Sequence, residues 1–190
     1  MHPAFSVIFF TVTSGAGYGL ISLLSLFQFS HYGIFLDKST FFITAAIAIS
    51  LFTMGLISST FHLANPKNAW RAFMRFRTSW LAREGLLAIL FYPLLFLYLY
   101  LNYIDFQIEH FILMQFFSFI IFIFAVLIIY CTGMIYACLK TIPQWNTFWT
   151  PINYISIGIF LGGLIFFFIL DLYNYEASLY KSYLLFFIVL

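Results

Sequence analysis

The amino-acid sequence predicts an all-α integral membrane protein, a polytopic helix bundle, and three observations carry that prediction. Hydrophobic residues make up 64% of the chain and aromatics 24%, with a mean hydropathy of +1.04. That is more apolar surface than a soluble core of this length can bury. Charged residues are only 7% of the total, and they fall between long apolar runs rather than inside them. The runs reach the roughly 20 residues that a helix needs to cross a bilayer. They are apolar all round, whereas barrel strands would show alternating segments of about 10 residues.

Five complete transmembrane helices are expected, over about residues 4–27, 40–64, 82–102, 111–138 and 152–170. The start of a sixth begins near Ser182 and reaches only Leu190, too short to cross. One transmembrane domain is therefore expected over residues 1–190, C-terminally incomplete. The first run has no basic segment before it and is too long for the core of a signal peptide, so it is expected to stay as the first helix. Its "SGAGYG" puts Gly15 and Gly19 at a G-x-x-x-G spacing that allows a neighbouring helix close approach. Pro93 predicts a kink in the third helix. The fourth holds "FFSFIIFIF", read as lipid-facing and core surface, and Cys131 and Cys138. Seven residues apart on one helical face, these two are separated by about 10.5 Å of rise, too far for a disulfide, and read as packing residues. Gly158, Gly162 and Gly163 repeat the small-residue pattern in the fifth helix.

The loops set the orientation. Lys67, Arg71, Arg75 and Arg77 lie between the second and third helices and Lys140 between the fourth and fifth, on one face. The loops of the other face carry Asp37, Asp105, Glu109, Asp171 and Glu176 against Lys38 and Lys181. The positive-inside rule places residues 65–81 and 139–151 in the cytoplasm, together with the N-terminus. A basic loop can equally be a docking platform, and Lys67, Arg71, Arg75, Arg77 and Trp80 are the candidate partner-docking residues.

Soluble-type catalysis finds no equipment here: the sequence has no phosphate-binding loop, no H-E-x-x-H, no C-x-x-C and no Ser/His/Asp arrangement. No metal site and no catalytic residue of that type is assigned. A net charge of +2 beside a bilayer is no footprint for nucleic acid. A b-type haem would want two histidines at similar depth on facing helices. His2, His31 and His110 lie at the terminus or in loops, and only His62 falls near a helix end, so no haem is expected.

The chemistry concentrates at the second hairpin. His62 ends one helix and Glu84 begins the next, so both return to the same membrane face, with Arg83 beside them. Interfacial snorkelling, an ion pair or helix-dipole stabilisation of the carboxylate would each account for such residues without function. The functional reading is a quinol site. A lipid-soluble quinol releases two protons and two electrons, and a histidine, with an ordinary pKa of about 6.5, can accept a hydroxyl proton at neutral pH. A carboxylate passes it on, and an arginine can orient a quinone oxygen. A transporter component, or a purely structural membrane anchor without a quinone site, are the competing readings. The apolar middles of the helices argue against the transporter, since transport sites usually gather polar groups there.

"HLANPKNAWRAFMRFRTSWLAREG", with "MHPAFSVIFFTVTSGAGYGL" at the start and "IYACLKTIPQWNTFWTP" at 135–151, resembles the membrane-anchor subunit of dimethyl-sulfoxide-reductase-type molybdoenzymes, the DmsC family. H-L-x-x-P-x-x-A-W-R-A-F and S-W-L-x-R-E-G are the most specific parts. The resemblance implies a three-part oxidoreductase complex of the bacterial inner membrane serving anaerobic respiration. Its parts would be a molybdopterin catalytic subunit, an iron-sulfur electron-transfer subunit and this anchor, which oxidises menaquinol or ubiquinol. It implies no haem, and it places the family's quinol-site histidine on His62 and its glutamate on Glu84. It also implies a bundle of about eight helices, of which five and a fragment are present. A catalytic pair on the periplasmic side would turn the basic loops outward.

Overall fold

A computed structural model describes residues 5–29, 36–61, 74–106 and 110–175. Five helices follow in order: α1 (Phe5–Phe29), α2 (Lys38–Thr60), α3 (Trp80–Tyr103), α4 (Phe111–Ala137) and α5 (Trp149–Leu172). All five are long and apolar enough to cross a membrane. The expected sixth helix lies outside the described residues.

The helix ends depart from the sequence expectations for local reasons. α2 closes at Thr60 with Phe61 as its C-cap, short of the expected residue 64. α3 opens at Trp80 because the hydroxyl of Ser79 accepts a hydrogen bond from Ala82 N, which satisfies an otherwise orphaned backbone donor. α5 opens at Trp149, before Pro151. A proline in the first turn removes only an N–H that has no intrahelical partner, so it marks the inside of the helix start. Pro93 lies within an uninterrupted α3.

α1 is the central helix, packed directly against α2, α4 and α5, while α3 packs on α4. Its small residues make this possible. A methyl group on Gly17 would lie 2.7 Å from Phe52 N and 2.8 Å from Ala48 O of α2. On the opposite side Gly19 faces the Gly158 backbone of α5, and Gly162 faces the backbone of Gly19 and Leu20. Helices in lipid gain little from expelling water between them, so such backbone approach carries much of their association. Several buried hydroxyls are satisfied within their own helices: Ser14 donates to Phe10 O (2.6 Å), Ser22 to Gly19 O (2.7 Å) and Thr44 to Thr40 O (2.7 Å).

Between α2 and α3 the contact runs through large side chains instead of close backbones. Tyr18 of α1 stacks on Phe52 at 4.8 Å and meets Phe91 edge-on at 5.7 Å, and Thr53 and Tyr92 share a 2.7 Å hydrogen bond. Toward the acidic face, Tyr98 donates to Gln28 Oε1 and Gln28 Nε2 to Asn102 Oδ1 (2.5 Å), tying α1 to α3. Lys38 and Asp105 form an exposed ion pair at 2.8 Å between the start of α2 and the end of α3. Aromatic rings surround both ends, Trp80, Trp145 and Trp149 at the basic end and Tyr100, Tyr103 and Tyr173 at the other, as membrane boundaries favour.

Cys131 is buried, but Cys138 is exposed at the end of α4, where its thiol donates to Ile135 O. The expectation that both are packing residues holds for the first alone, because α4 ends at Ala137 and Cys138 lies past the packed surface.

Candidate functional site

Near the basic end, the first turns of α3 come beside the last turns of α4. Glu84 is the fifth residue of α3 and is 4% exposed, turned into the bundle. Thr132 of α4 donates a short hydrogen bond to its Oε1. Thr132 Oγ1 also lies 3.1 Å from Ile128 O, one turn back along its own helix. One hydroxyl carries one hydrogen, so these two contacts alternate. When Glu84 is ionised, Thr132 donates to the carboxylate; when Glu84 holds a proton, the acid donates to Thr132 and Thr132 donates to Ile128 O. Both states of the carboxyl are satisfied without moving a heavy atom. Among the described residues Glu84 has no ion-pair partner. An ionisable group placed this way in a membrane helix is costly unless partnered, which makes it a functional candidate. Thr132→Val removes that partner and is expected to cost about 1–3 kcal/mol of stability, measured as earlier thermal unfolding of the detergent-solubilised protein.

Arg83, the neighbour of Glu84 in sequence, points elsewhere. Its Nε donates to Phe76 O (3.0 Å) and its Nη2 to Arg77 O (2.7 Å), and the guanidinium lies 4.1 Å from the centre of the Trp80 ring. These contacts close the turn at residues 74–79, so Arg83 fastens the loop and is not brought to the carboxyl. Trp80 is half-buried with its ring edge-on to Tyr130 of α4 at 5.9 Å. Arg75 and Arg77 are exposed beside it. His62, Lys67 and Arg71 lie outside the described residues. Gly15 approaches α5 less closely than Gly19: an added methyl would sit 3.8 Å from Gly158 Cα, an ordinary contact.

Adjoining the Thr132–Glu84 pair is a cavity of about 240 Å³ between α1, α4 and α5, lined among others by Ser14, Tyr18, Ile129, Thr132, Tyr154 and Gly158. Tyr18 is 2% exposed, and among the described residues its hydroxyl has no hydrogen-bond partner. Val12 and Ile157 also line the cavity and are exposed at 50% and 58%, so it opens on the lipid-facing surface. Neither Thr132 nor Tyr18 emerges from motif reasoning. The signal for Thr132 is a hydroxyl in an otherwise apolar helix end, at the depth of Glu84. For Tyr18 it is a phenol inside a small-residue stripe. Among the described residues, no three His, Cys, Asp or Glu side chains converge as metal ligands would.

Five membrane-crossing helices around a buried carboxyl define a multi-pass membrane protein. The family model of the DMSO reductase anchor subunit (DmsC) matches residues 1–190, and the chain belongs to that family. A curated relative, a sulfite dehydrogenase subunit of Allochromatium vinosum, is 32% identical over 172 residues, which cover 83% of this chain and 52% of the relative. The chain thus spans about half the length of that relative. No solved structure matches it.

Proposed function

We propose that this chain is the membrane anchor of a molybdopterin oxidoreductase in the bacterial cytoplasmic membrane and exchanges electrons with menaquinol or ubiquinol beside Glu84. The observation that carries the reading is the buried Glu84–Thr132 pair next to an apolar cavity open to lipid. Oxidising a quinol breaks two O–H bonds and releases two protons and two electrons. Glu84 takes a proton and, with His62, passes protons to water at the basic face. The electrons leave one at a time to an iron-sulfur cluster of a partner subunit, and from there reach the molybdopterin subunit. The exposed Arg75 and Arg77, with Lys67 and Arg71 in the same loop, supply the positive surface on which an acidic partner docks.

A partner that oxidises its substrate, as the name of the sulfite dehydrogenase relative suggests, would drive the same site in reverse and reduce quinone. The alternating hydrogen bond of Thr132 serves either direction, since it accommodates Glu84 with or without its proton. No haem is needed for this transfer. Purification of the full-length protein in mild detergent is expected to bring down iron-sulfur- and molybdenum-containing subunits, seen by metal analysis and by quinol-dependent turnover. A protein that purifies without such partners and neither oxidises nor reduces quinones refutes the reading.

A further inference from the structure

We propose that the cavity between α1, α4 and α5 is a binding site for a single acyl chain of a bilayer phospholipid. This goes beyond the proposed function and does not depend on it: Glu84 is not among the lining residues, so a chain held there does not touch the carboxyl. The walls select for hydrocarbon. Val12, Ile129, Ile157 and Leu161 are aliphatic, Gly15 and Gly158 present bare backbone, and no charged side chain among the described residues lines the space. The lining hydroxyls are engaged. Thr11 donates to Ile8 O (3.0 Å), Ser14 donates to Phe10 O (2.6 Å), Thr132 is shared between Glu84 and Ile128 O, and Tyr154 is hydrogen-bonded to Tyr136. The Tyr18 hydroxyl is closed off, with under 1 Å² of accessible surface. A polar head placed here would exchange its solvation for walls that offer no free donor, whereas a hydrocarbon chain has no hydrogen bonds to lose.

Place and shape fit such a chain. Odd-numbered spans of one bundle run in the same direction, so α1 and α5 both descend from the basic end. They meet most tightly at Gly19 and Gly162, and the contact loosens one turn nearer that end. There a methyl on Gly15 would find only Gly158 Cα of the neighbouring helices within 4 Å, at 3.8 Å. From this crossing the cavity follows the two helices along residues 11–18 and 154–161, about 10 Å at 1.5 Å per residue. Its length therefore runs along the membrane normal, as acyl chains do. On α5 the exposed residues Trp149, Asn153 and Ile157 recur at every fourth position, and on α1 Phe5, Ile8 and Val12 share a face. These two tracks lead from the membrane boundary to the mouth, so the cavity is continuous with the surface that lipid already covers. Left empty, an apolar cleft costs its lining the dispersion contacts on which helices in lipid depend, and a chain restores them.

The test reconstitutes the purified complex containing the full chain in vesicles of phosphatidylethanolamine and phosphatidylglycerol, a small share of which carries a diazirine at mid-chain. The complex is washed through probe-free detergent, illuminated, and its crosslinks mapped by mass spectrometry. Phe168, exposed on α5 and outside the cavity, reports ordinary boundary lipid. The label at Leu161, on the cavity wall, is expected to survive the wash while that at Phe168 is lost. Val12→Trp, at the exposed mouth, is expected to abolish the Leu161 label while the subunits still assemble and Phe168 is labelled as in wild type before the wash. Wild-type labels at Leu161 and Phe168 that wash out alike would overturn the proposal, and this result decides even where the variant fails to assemble. A retained Leu161 label in assembled Val12→Trp would overturn it too. Displacement of the Leu161 label by a long-tailed quinone, but not by excess unlabelled phospholipid, would assign the cleft to an isoprenoid tail and overturn the phospholipid assignment. A complex that retains the label yet neither oxidises nor reduces quinones would support this inference and overturn the proposed function alone.

Discussion

Glu84→Gln is expected to lower quinol-dependent turnover at least about 100-fold while leaving assembly with the partner subunits and activity with an artificial soluble donor intact. Glutamine keeps the length of the side chain and still offers Thr132 an acceptor oxygen, so the packing around α3 and α4 survives. What it lacks is a site that binds and releases a proton. General-base contributions of about 10²- to 10⁴-fold set the size of the loss. The isosteric change also separates the two uses of a buried carboxyl. If Glu84 only ties α3 to α4, an amide does that as well, and turnover stays within about 3-fold of wild type. That result, with normal assembly, would remove proton transfer from the account of this site. The soluble donor bypasses the quinone site, so a parallel loss with both donors would mean that the substitution damages the complex and not the chemistry.

The fold was legible because its causes are written in one dimension. Apolar runs of bilayer length and their polar breaks define five helices, and the errors at their ends trace to single residues, Ser79 as an unrecognised cap and Pro151 counted outside a helix it opens. The carboxyl was legible too, since Glu84 is an ionisable residue inside an apolar run. Its surroundings were not. A periodic pattern says which residues share a helix face, but not which helix that face meets. Glu84 stands four residues past the start of α3 and Thr132 five before the end of the antiparallel α4, so at about 1.5 Å per residue their depths agree within roughly 2 Å. That arithmetic needs the pairing of α3 with α4, which composition does not supply. Arg83 illustrates the opposite error. Its place beside Glu84 in sequence suggested a shared site, yet consecutive helical residues point about 100° apart, and the guanidinium is occupied by the carbonyls of Phe76 and Arg77.

Gly162→Ala and Gly19→Ala are each expected to destabilise the bundle by about 2–4 kcal/mol, against a change within about 1 kcal/mol for Gly15→Ala. The contrast rests on what one methyl group meets. At Gly162 it would run into the backbone of Gly19 and Leu20, and at Gly19 into the carbonyl of Gly158; neither obstacle is a side chain that can turn aside. Relief requires α1 and α5 to separate, which opens voids along a core that includes Leu20, Leu24, Phe166 and Leu170. At Gly15 the same methyl finds Gly158 Cα at 3.8 Å and fits, and alanine's better helix propensity works in its favour. Thermal unfolding of the detergent-solubilised complex, with the yield of assembled subunits, reads all three. Because α1 and α5 also wall the cavity beside Thr132, the two damaging variants are expected to lose quinone binding along with stability, whereas Gly15→Ala keeps its stability. Equal stability for the three would mean that α1 and α5 do not meet along the Gly19–Gly162 contact, and the cavity between them would have to be redrawn.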